Sequence, residues 1–171
     1  GNPYEKDTQV SSLIHHDHRD VVSAYVDRAI GDGGRILCGG KAPIGAEFEK
    51  GAYYLPTIIT DVKSSSEIFQ EEVFGPVLVV MPFKDEGDAI EQANDTQYGL
   101  ACGIWTNNFP KAWRVGRPIN AGTVWINTYK QFSISTPFGG EKSSGIGREK
   151  GSDGIRAYMS QKSLYIDLTG K

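Results

Sequence analysis

Apolar residues recur at helical spacing over residues 17–30, where Val21, Val22, Tyr25, Val26, Ala29 and Ile30 share one face. The spacing predicts an amphipathic helix with Asp17 as its N-cap, ended by Gly31, Gly33 and Gly34. A short strand is expected at 35–38. An extended segment follows at 52–59, and its Pro56 predicts an edge or irregular position because proline cannot donate to a ladder. A helical turn near 66–70 leads into the unbroken apolar run 77–83, which reads as a strand. Then come a helix over 85–94, a strand at 102–106, a helix over 109–117 with Pro110 in its first turn, and a strand at 123–127. Strand, helix, strand, helix, strand is the pattern of successive crossover units. Apolar runs without alternation imply strands covered on both faces, so the expected fold class is α/β, built on a parallel sheet. Residues 129–135 read as a loop, 139–147 as a glycine-rich turn region and 148–158 as a helix despite Gly151 and Gly154. The final expected strand, 163–168, alternates Leu164, Ile166 and Leu168 with Ser163, Tyr165 and Asp167, which leaves one apolar face without a partner.

Composition narrows the function classes more than it names one. The chain has 171 residues, 39% of them hydrophobic, enough for one domain with a core. A net charge of -3 gives no electrostatic reason to expect nucleic acid or an anionic membrane as a partner. No apolar run approaches the length of a membrane span, and the first residues lack the layout of a signal peptide. Two cysteines, Cys38 and Cys102, do not make a disulfide framework, so a reducing, cytoplasmic setting is the simplest expectation.

Two peptides carry the chemistry. The first is Glu71-Glu72-Val73-Phe74-Gly75-Pro76-Val77; the second is Thr136-Pro137-Phe138-Gly139-Gly140-Glu141-Lys142-Ser143-Ser144-Gly145-Ile146-Gly147-Arg148-Glu149. In this order and at this spacing they resemble two signatures of the NAD(P)-dependent aldehyde dehydrogenases. Asn94-Asp95-Thr96-Gln97-Tyr98-Gly99-Leu100 and Ala121-Gly122-Thr123-Val124-Trp125-Ile126-Asn127 also resemble segments of that family, so the likeness runs over nearly the whole chain. It implies the C-terminal portion of the catalytic domain over 1–158 and an oligomerisation strand with its tail over 159–171. The family oxidises an aldehyde to a carboxylic acid with NAD or NADP through a cysteine thioester. The cysteine nucleophile in a Gly-Gln-type turn, the general-base glutamate in a Glu-Leu-Gly-Gly-type segment and the Rossmann-like cofactor domain that it uses are not in this sequence. The expectation is therefore a portion of an oxidoreductase, inactive alone, acting on a small-molecule aldehyde as part of a homo-oligomer joined through the C-terminal strand. The alternative is a non-enzymatic truncated binding or assembly module.

The resemblance assigns roles residue by residue, and each has a plainer reading beside it. Glu72 would hold the nicotinamide ribose, since one carboxylate can accept hydrogen bonds from both sugar hydroxyls; taken locally, Glu71-Glu72 is a solvated acidic pair. Phe74 would pack near the nicotinamide and Phe138 would line the aldehyde tunnel, but either could be a core aromatic. Glu149 would serve as a proton-relay carboxylate; its plain reading is an Arg148-Glu149 pair opening a helix. The loop 129–135 would shape substrate choice, with Tyr129, Phe132 and Phe138 favouring an apolar or aromatic aldehyde and Lys130 a carboxylate. Some relatives hold a monovalent cation through carbonyls near Lys142 and Gly145, and His18 falls near their adenosine-ribose contact.

Other features carry less. His15, His16 and His18 suggest a metal, yet neighbours on a helix point apart and no further ligand stands at the right spacing, so no metal is expected. Neither Cys38 nor Cys102 lies in a nucleophile setting, and the glycine clusters at 31–41 fail the nucleotide-loop patterns. Asn94-Asp95-Thr96 is a formal glycosylation sequon, idle without secretion.

Overall fold

The structure, a computed structural model, describes residues 1–170, and packing divides the chain into two compact units, Gly1–Asp88 and Ala89–Lys171. In the first unit, helix α1 spans His16–Gly31 and buries Val22, Val26 and Ala29, the i, i+4, i+7 stripe of its apolar face. Its N-cap is His15, whose Nδ1 accepts from the His18 N–H at 3.1 Å. The expected cap, Asp17, lies instead in the first turn, where its charge still complements the helix dipole. At the other end the Gly34 N–H returns to the Ala29 carbonyl at 2.8 Å, and Gly33 takes the left-handed φ of 100°.

Strand β1 (Arg35–Cys38) pairs antiparallel with β2 (Thr57–Thr60), which pairs in parallel with β3 (Val77–Val79). The strand following Pro56 is thus the centre of its three-stranded sheet and not an edge. The proline sits one residue before the ladder begins, so its missing N–H disrupts nothing; the first donor is the Thr57 N–H, to the Pro76 carbonyl at 2.8 Å. Helix α2 (Glu67–Gln70) makes the crossover between β2 and β3. Ile59, fully buried, centres a core with Val22, Val26, Ala29, Tyr54, Ile68 and Val73. The apolar run beginning at Val77 forms only three residues of strand, and Leu78 and Val80 are exposed among the described residues.

Helix α3 (Glu86–Asn94) follows, and the second unit opens its strands with β4 (Tyr98–Gly99). Strand β5 (Ala101–Ile104), helix α4 (Phe109–Gly116) and strand β6 (Thr123–Ile126) form the expected crossover, with β5 and β6 parallel in a register running from Ala101↔Thr123 to Ile104↔Ile126. Asn108 caps α4 by accepting from the Lys111 N–H at 2.9 Å, and Pro110 occupies its first turn. The α/β reading with parallel strands holds. Within its own unit each of these strands has one parallel partner, β3 with β2 and β5 with β6.

Strand β7 (Glu141–Lys142) pairs with β4, a short ladder the sequence pattern does not announce. The helix expected over 148–158 shrinks to α5 (Gly151–Arg156), because Glu149 is held extended in a bridge with Phe138. The C-terminal strand is not formed: Leu164, Ile166 and Leu168 are 76%, 68% and 90% exposed and residues 163–168 have no ladder partner among the described residues. Alternation prepares a face, but a strand exists only when a neighbour supplies the hydrogen bonds. Of the tail expected at 159–171, Lys171 lies outside the described residues.

Candidate functional site

In the first unit, the peptide from Glu71 to Val77 leaves α2 and turns into β3 with one side chain anchored. Val73 is 9% exposed within the core, while Glu72 and Phe74 on either side of it are exposed. Phe74 is held at φ 52°, a left-handed conformation that bulky side chains rarely adopt. Its carbonyl lies 2.8 Å from His18 Nε2, and the two rings meet edge to face at 6.4 Å. Gly75 permits the close approach to α1: a Cβ there would stand 2.7 Å from Val22 Cγ2. A groove of about 340 Å³ runs beside this turn, lined by Ile68, Phe69, Glu72, Phe74 and Leu78. A solvent-facing carboxylate and an aromatic ring on a pinned backbone fit what a ribose and a flat heterocycle need. An acceptor pair can take two hydroxyl protons, and a ring face can stack. His18, by contrast, is committed to the Phe74 carbonyl, so it acts here as a brace.

In the second unit, Phe138 and Glu149 form an antiparallel bridge. Between them the chain makes a glycine-rich knot pinned by Arg148, whose Nη1 donates to the carbonyls of Gly140 and Gly147, both at 2.8 Å. Gly140 is buried and Phe138 half-buried, while the Glu149 side chain is exposed. The knot leans on β4 and its approach: Lys142 Nζ donates to the carbonyls of Asn94 and Thr96 at 3.0 and 2.9 Å, and Ser144 Oγ accepts from the Gly99 N–H at 2.9 Å. The Asn94 side chain is itself occupied, donating to the Pro118 carbonyl and accepting from the Asn120 N–H, both at 2.8 Å. The sequon is thereby built into the fold.

Phe138 does not stand alone. Its ring meets Phe132 edge to face at 4.9 Å, Phe132 meets Trp125 at 5.4 Å, and Trp125 meets Tyr129 at 5.2 Å. The Trp125 indole donates to the Gln131 carbonyl at 2.8 Å, which fixes the loop 129–135 over the end of β6. A cavity of about 400 Å³ is lined by Trp125, Phe132, Thr136, Pro137 and Phe138. Lys150 Nζ lies 4.1 Å from the centre of the Phe132 ring, and Lys130 Nζ lies 5.8 Å from that of Tyr129. Sequence reasoning reached Tyr129, Phe132 and Phe138 but missed Trp125 and Lys150. The signal for Lys150 was its place directly after Glu149, which the bridge turns back toward Phe138.

Burial pushes the Cys102 thiol above its ordinary pKa, which disfavours the thiolate a nucleophile needs. Among the described residues no group of histidines, cysteines and carboxylates is placed to hold a metal, and no helix is long and apolar enough to cross a membrane.

The chain is similar to known proteins over nearly its whole length. The profile described as "Aldehyde dehydrogenase family" matches residues 1–164. Betaine aldehyde dehydrogenase of Brucella anthropi is 41% identical over 168 residues, 98% of this chain and 34% of that protein. The corresponding enzyme of Cereibacter sphaeroides is 39% identical over the same shares. Among solved structures, betaine aldehyde dehydrogenase of Staphylococcus aureus in complex with NAD+ superposes with a TM-score of 0.91 at 38% identity, covering 100% of this chain and 35% of that one. An aldehyde dehydrogenase of Bacillus cereus, also with NAD+, gives 0.88 at 39% identity over 96% of this chain and 33% of its own. The chain spans about a third of the length of the relatives it matches.

Proposed function

Because the chain belongs to the aldehyde dehydrogenase family, we propose that it is the cofactor-clamping and substrate-lining part of an enzyme that oxidises an aldehyde to a carboxylic acid with NAD or NADP. The nicotinamide cofactor, when bound, accepts the hydride. The chain's own residues orient and exclude. Glu72 accepts from the hydroxyls of the nicotinamide ribose, Phe74 packs at the flat ring, Phe138 lines the approach of the aldehyde, and Glu149 carries a proton toward solvent. The cysteine that forms the thioester is neither Cys38, exposed in β1, nor Cys102, whose thiol burial holds protonated. The isolated chain is accordingly inactive. Residues 163–168 complete a ladder in the homo-oligomer, within the cytoplasm, and the tail from 159 on acts as an oligomerisation element separate from the 1–158 portion.

The observation that carries this reading is the presentation of Glu72 and Phe74. One buried valine and one histidine contact fix a strained turn, and the side chains on either side of the valine are exposed, Phe74 touching the fold only edge to face at His18. The test is NADH formation from an aldehyde by the longer enzyme containing this chain, with Glu72→Gln beside it. We expect turnover, and a fall of roughly tenfold to a hundredfold in kcat for Glu72→Gln, the size of effect that misplacing a bound reactant produces. Absence of turnover with any aldehyde, or a Glu72→Gln enzyme as fast as its parent, overturns the reading. A folded, monomeric 171-residue chain that turned over aldehyde by itself would overturn the division of labour.

A further inference from the structure

The peptide that presents Glu72 is tied to one helix at both of its ends. At its start Arg28 Nε donates to Glu67 Oε2 at 2.5 Å, joining α1 to the first residue of α2, and at its finish His18 Nε2 lies 2.8 Å from the Phe74 carbonyl. Between these ties Ile68 and Val73 enter the core beside Val22 and Val26 of the same helix. The ties stand about 15 Å apart along α1 at the helical rise per residue, so the peptide runs back along α1 from Arg28 to His18.

The first tie governs an element that cannot place itself. Helix α2 has four residues, too few to be stable as an isolated helix, so its position comes from what it touches. Ile68, 5% exposed, fixes its depth, but apolar burial is non-directional and leaves α2 free to turn about that side chain. Gln70 Nε2 donates to the Ser64 carbonyl at 2.7 Å, a bond that fastens α2 to its own preceding loop. The directional contact with α1 is the Arg28–Glu67 pair. Its guanidinium is steadied by the Tyr25 ring, 4.7 Å away, and Tyr25 packs against the core. The two side chains of the pair are 50% and 47% exposed, a setting in which an ion pair adds little to stability and its effect is on orientation. Orientation matters at this place because Ile68 and Phe69 of α2 line the same groove as Glu72 and Phe74.

Resting on the proposed dehydrogenase reading, in which Glu72 accepts from the ribose hydroxyls, we propose that Arg28 is a positioning residue for the cofactor: through Glu67 it sets the rotation of α2, and with it where the Glu72 carboxylate stands beside the groove. When the pair is lost, Ile68 and Val73 still hold the peptide in the core, so the fold stays and the aim of the carboxylate is relaxed.

The test uses the longer enzyme containing this chain, with NAD+ binding read by calorimetric titration and amide exchange at Glu71 read without cofactor, since the Glu71 N–H donates to the Glu67 carbonyl at 2.9 Å. Arg28→Gln and Glu67→Gln are each expected to weaken NAD+ about tenfold, the worth of one hydrogen bond to a charged group, and to speed exchange at Glu71. The thermal midpoint and the KM for aldehyde are expected to stay where they are. The double variant is expected to bind no more weakly than either single one, because both substitutions remove the same contact. NAD+ binding unchanged in the single variants, losses that multiply in the double variant, or a loss matched by a lower thermal midpoint and a higher aldehyde KM each overturns the proposal. Should Arg28→Gln fail to fold, Glu67→Gln makes the same comparison and decides. Glu72→Gln is titrated beside them. If it binds NAD+ as its parent does, the reading of Glu72 as the ribose acceptor fails and the positioning role with it; if it is weakened while Arg28→Gln and Glu67→Gln are not, the positioning role alone fails.

Discussion

Phe138 and Glu149 exchange both of their backbone hydrogen bonds, Phe138 N–H to Glu149 carbonyl at 2.8 Å and Glu149 N–H to Phe138 carbonyl at 2.7 Å. The pair closes the glycine-rich knot and brings the candidate tunnel aromatic and the candidate relay carboxylate onto one short bridge. Nothing in the knot is a long regular element, so its geometry depends on a few directed contacts.

The chief of these contacts is Arg148. Its guanidinium serves the carbonyls of Gly140 and Gly147 from Nη1 and reaches Glu141 from Nη2 at 3.5 Å, and a lysine, with a single nitrogen at the end of its stem, does not span both sides of that fork. Arg148→Lys should cost about 1–2 kcal/mol, seen in urea denaturation. Amide exchange at Phe138 and Glu149 should accelerate with it. Unchanged exchange there would show that the bridge stands without the arginine.

Gly122 tests the packing of the same region from the other side. A Cβ at this position would collide with the Gly139 carbonyl oxygen, a backbone atom that cannot rotate away. Gly122→Ala should therefore destabilise by about 2–3 kcal/mol. Gly31, at the end of α1 with open space around its Cα, is the control, and Gly31→Ala should stabilise by about 0.5–1 kcal/mol. Thermal unfolding of both variants checks the contrast.

What the sequence made legible follows from where the decisive forces are local. Helix α1, the crossover through α4 and the strands flanking it show their period and their caps in a few residues, and they stand within a residue or two of where the pattern puts them. His15 displaced Asp17 as cap because its ring nitrogen reaches the N–H three residues on, a contact no propensity scale weights heavily. The ladder of β4 with β7 depends on a register between residues over forty positions apart, which no local pattern encodes. Residues 163–168 show the opposite failure: the alternation is present, but a partner is not. Of the candidate site, the rings of Phe132 and Phe138 were readable, whereas the Lys150 ammonium above them depends on the Phe138 to Glu149 bridge and so on tertiary structure.

Tyr54 carries a cost inside the first core. Its side chain is 4% exposed and its hydroxyl is buried without a hydrogen-bond partner among the described residues. Burial pushes its pKa up, and Ser23, too loosely placed to count as a hydrogen bond, only partly offsets this. Removing the hydroxyl leaves no orphan behind, so Tyr54→Phe should be neutral or stabilising by up to about 1 kcal/mol. The pH dependence has a definite sign. Tyr54 and Cys102 are both raised in the fold, so above about pH 9 the unfolded chain binds fewer protons than the folded one, and stability falls as pH rises. Denaturation midpoints from pH 7 to about 10 should decline in the parent and decline less in Tyr54→Phe.

The two thiols should separate in an alkylation experiment. Cys38 is exposed in β1, whereas Cys102 lies partly buried in β5 with its thiol pushed up by desolvation. Iodoacetamide at neutral pH should label Cys38 at least about tenfold faster, since the thiolate is the reactive form. Peptide mass spectrometry over a time course reads both sites at once. Faster labelling at Cys102 would mean that an activating group reaches it and would return it to consideration as a nucleophile.

Phe74 offers the sharpest contrast between fold and function. Its φ of 52° is a conformation that costs a bulky residue about 1–2 kcal/mol, yet its ring is 75% exposed within this chain and so recovers little by burial. The turn is held by the His18 contact to the Phe74 carbonyl and by Val73 in the core, neither of which needs the aromatic ring. Glycine adopts this φ without strain, so Phe74→Gly should stabilise the chain by about 1 kcal/mol in urea denaturation. In the longer enzyme the same substitution should lower kcat, because the ring proposed to pack at the nicotinamide is gone. A stabilised but slower enzyme would identify the strain as part of the site. A destabilised variant would mean that the edge-to-face contact with His18 at 6.4 Å outweighs the backbone cost, and Phe74 would then belong to the fold.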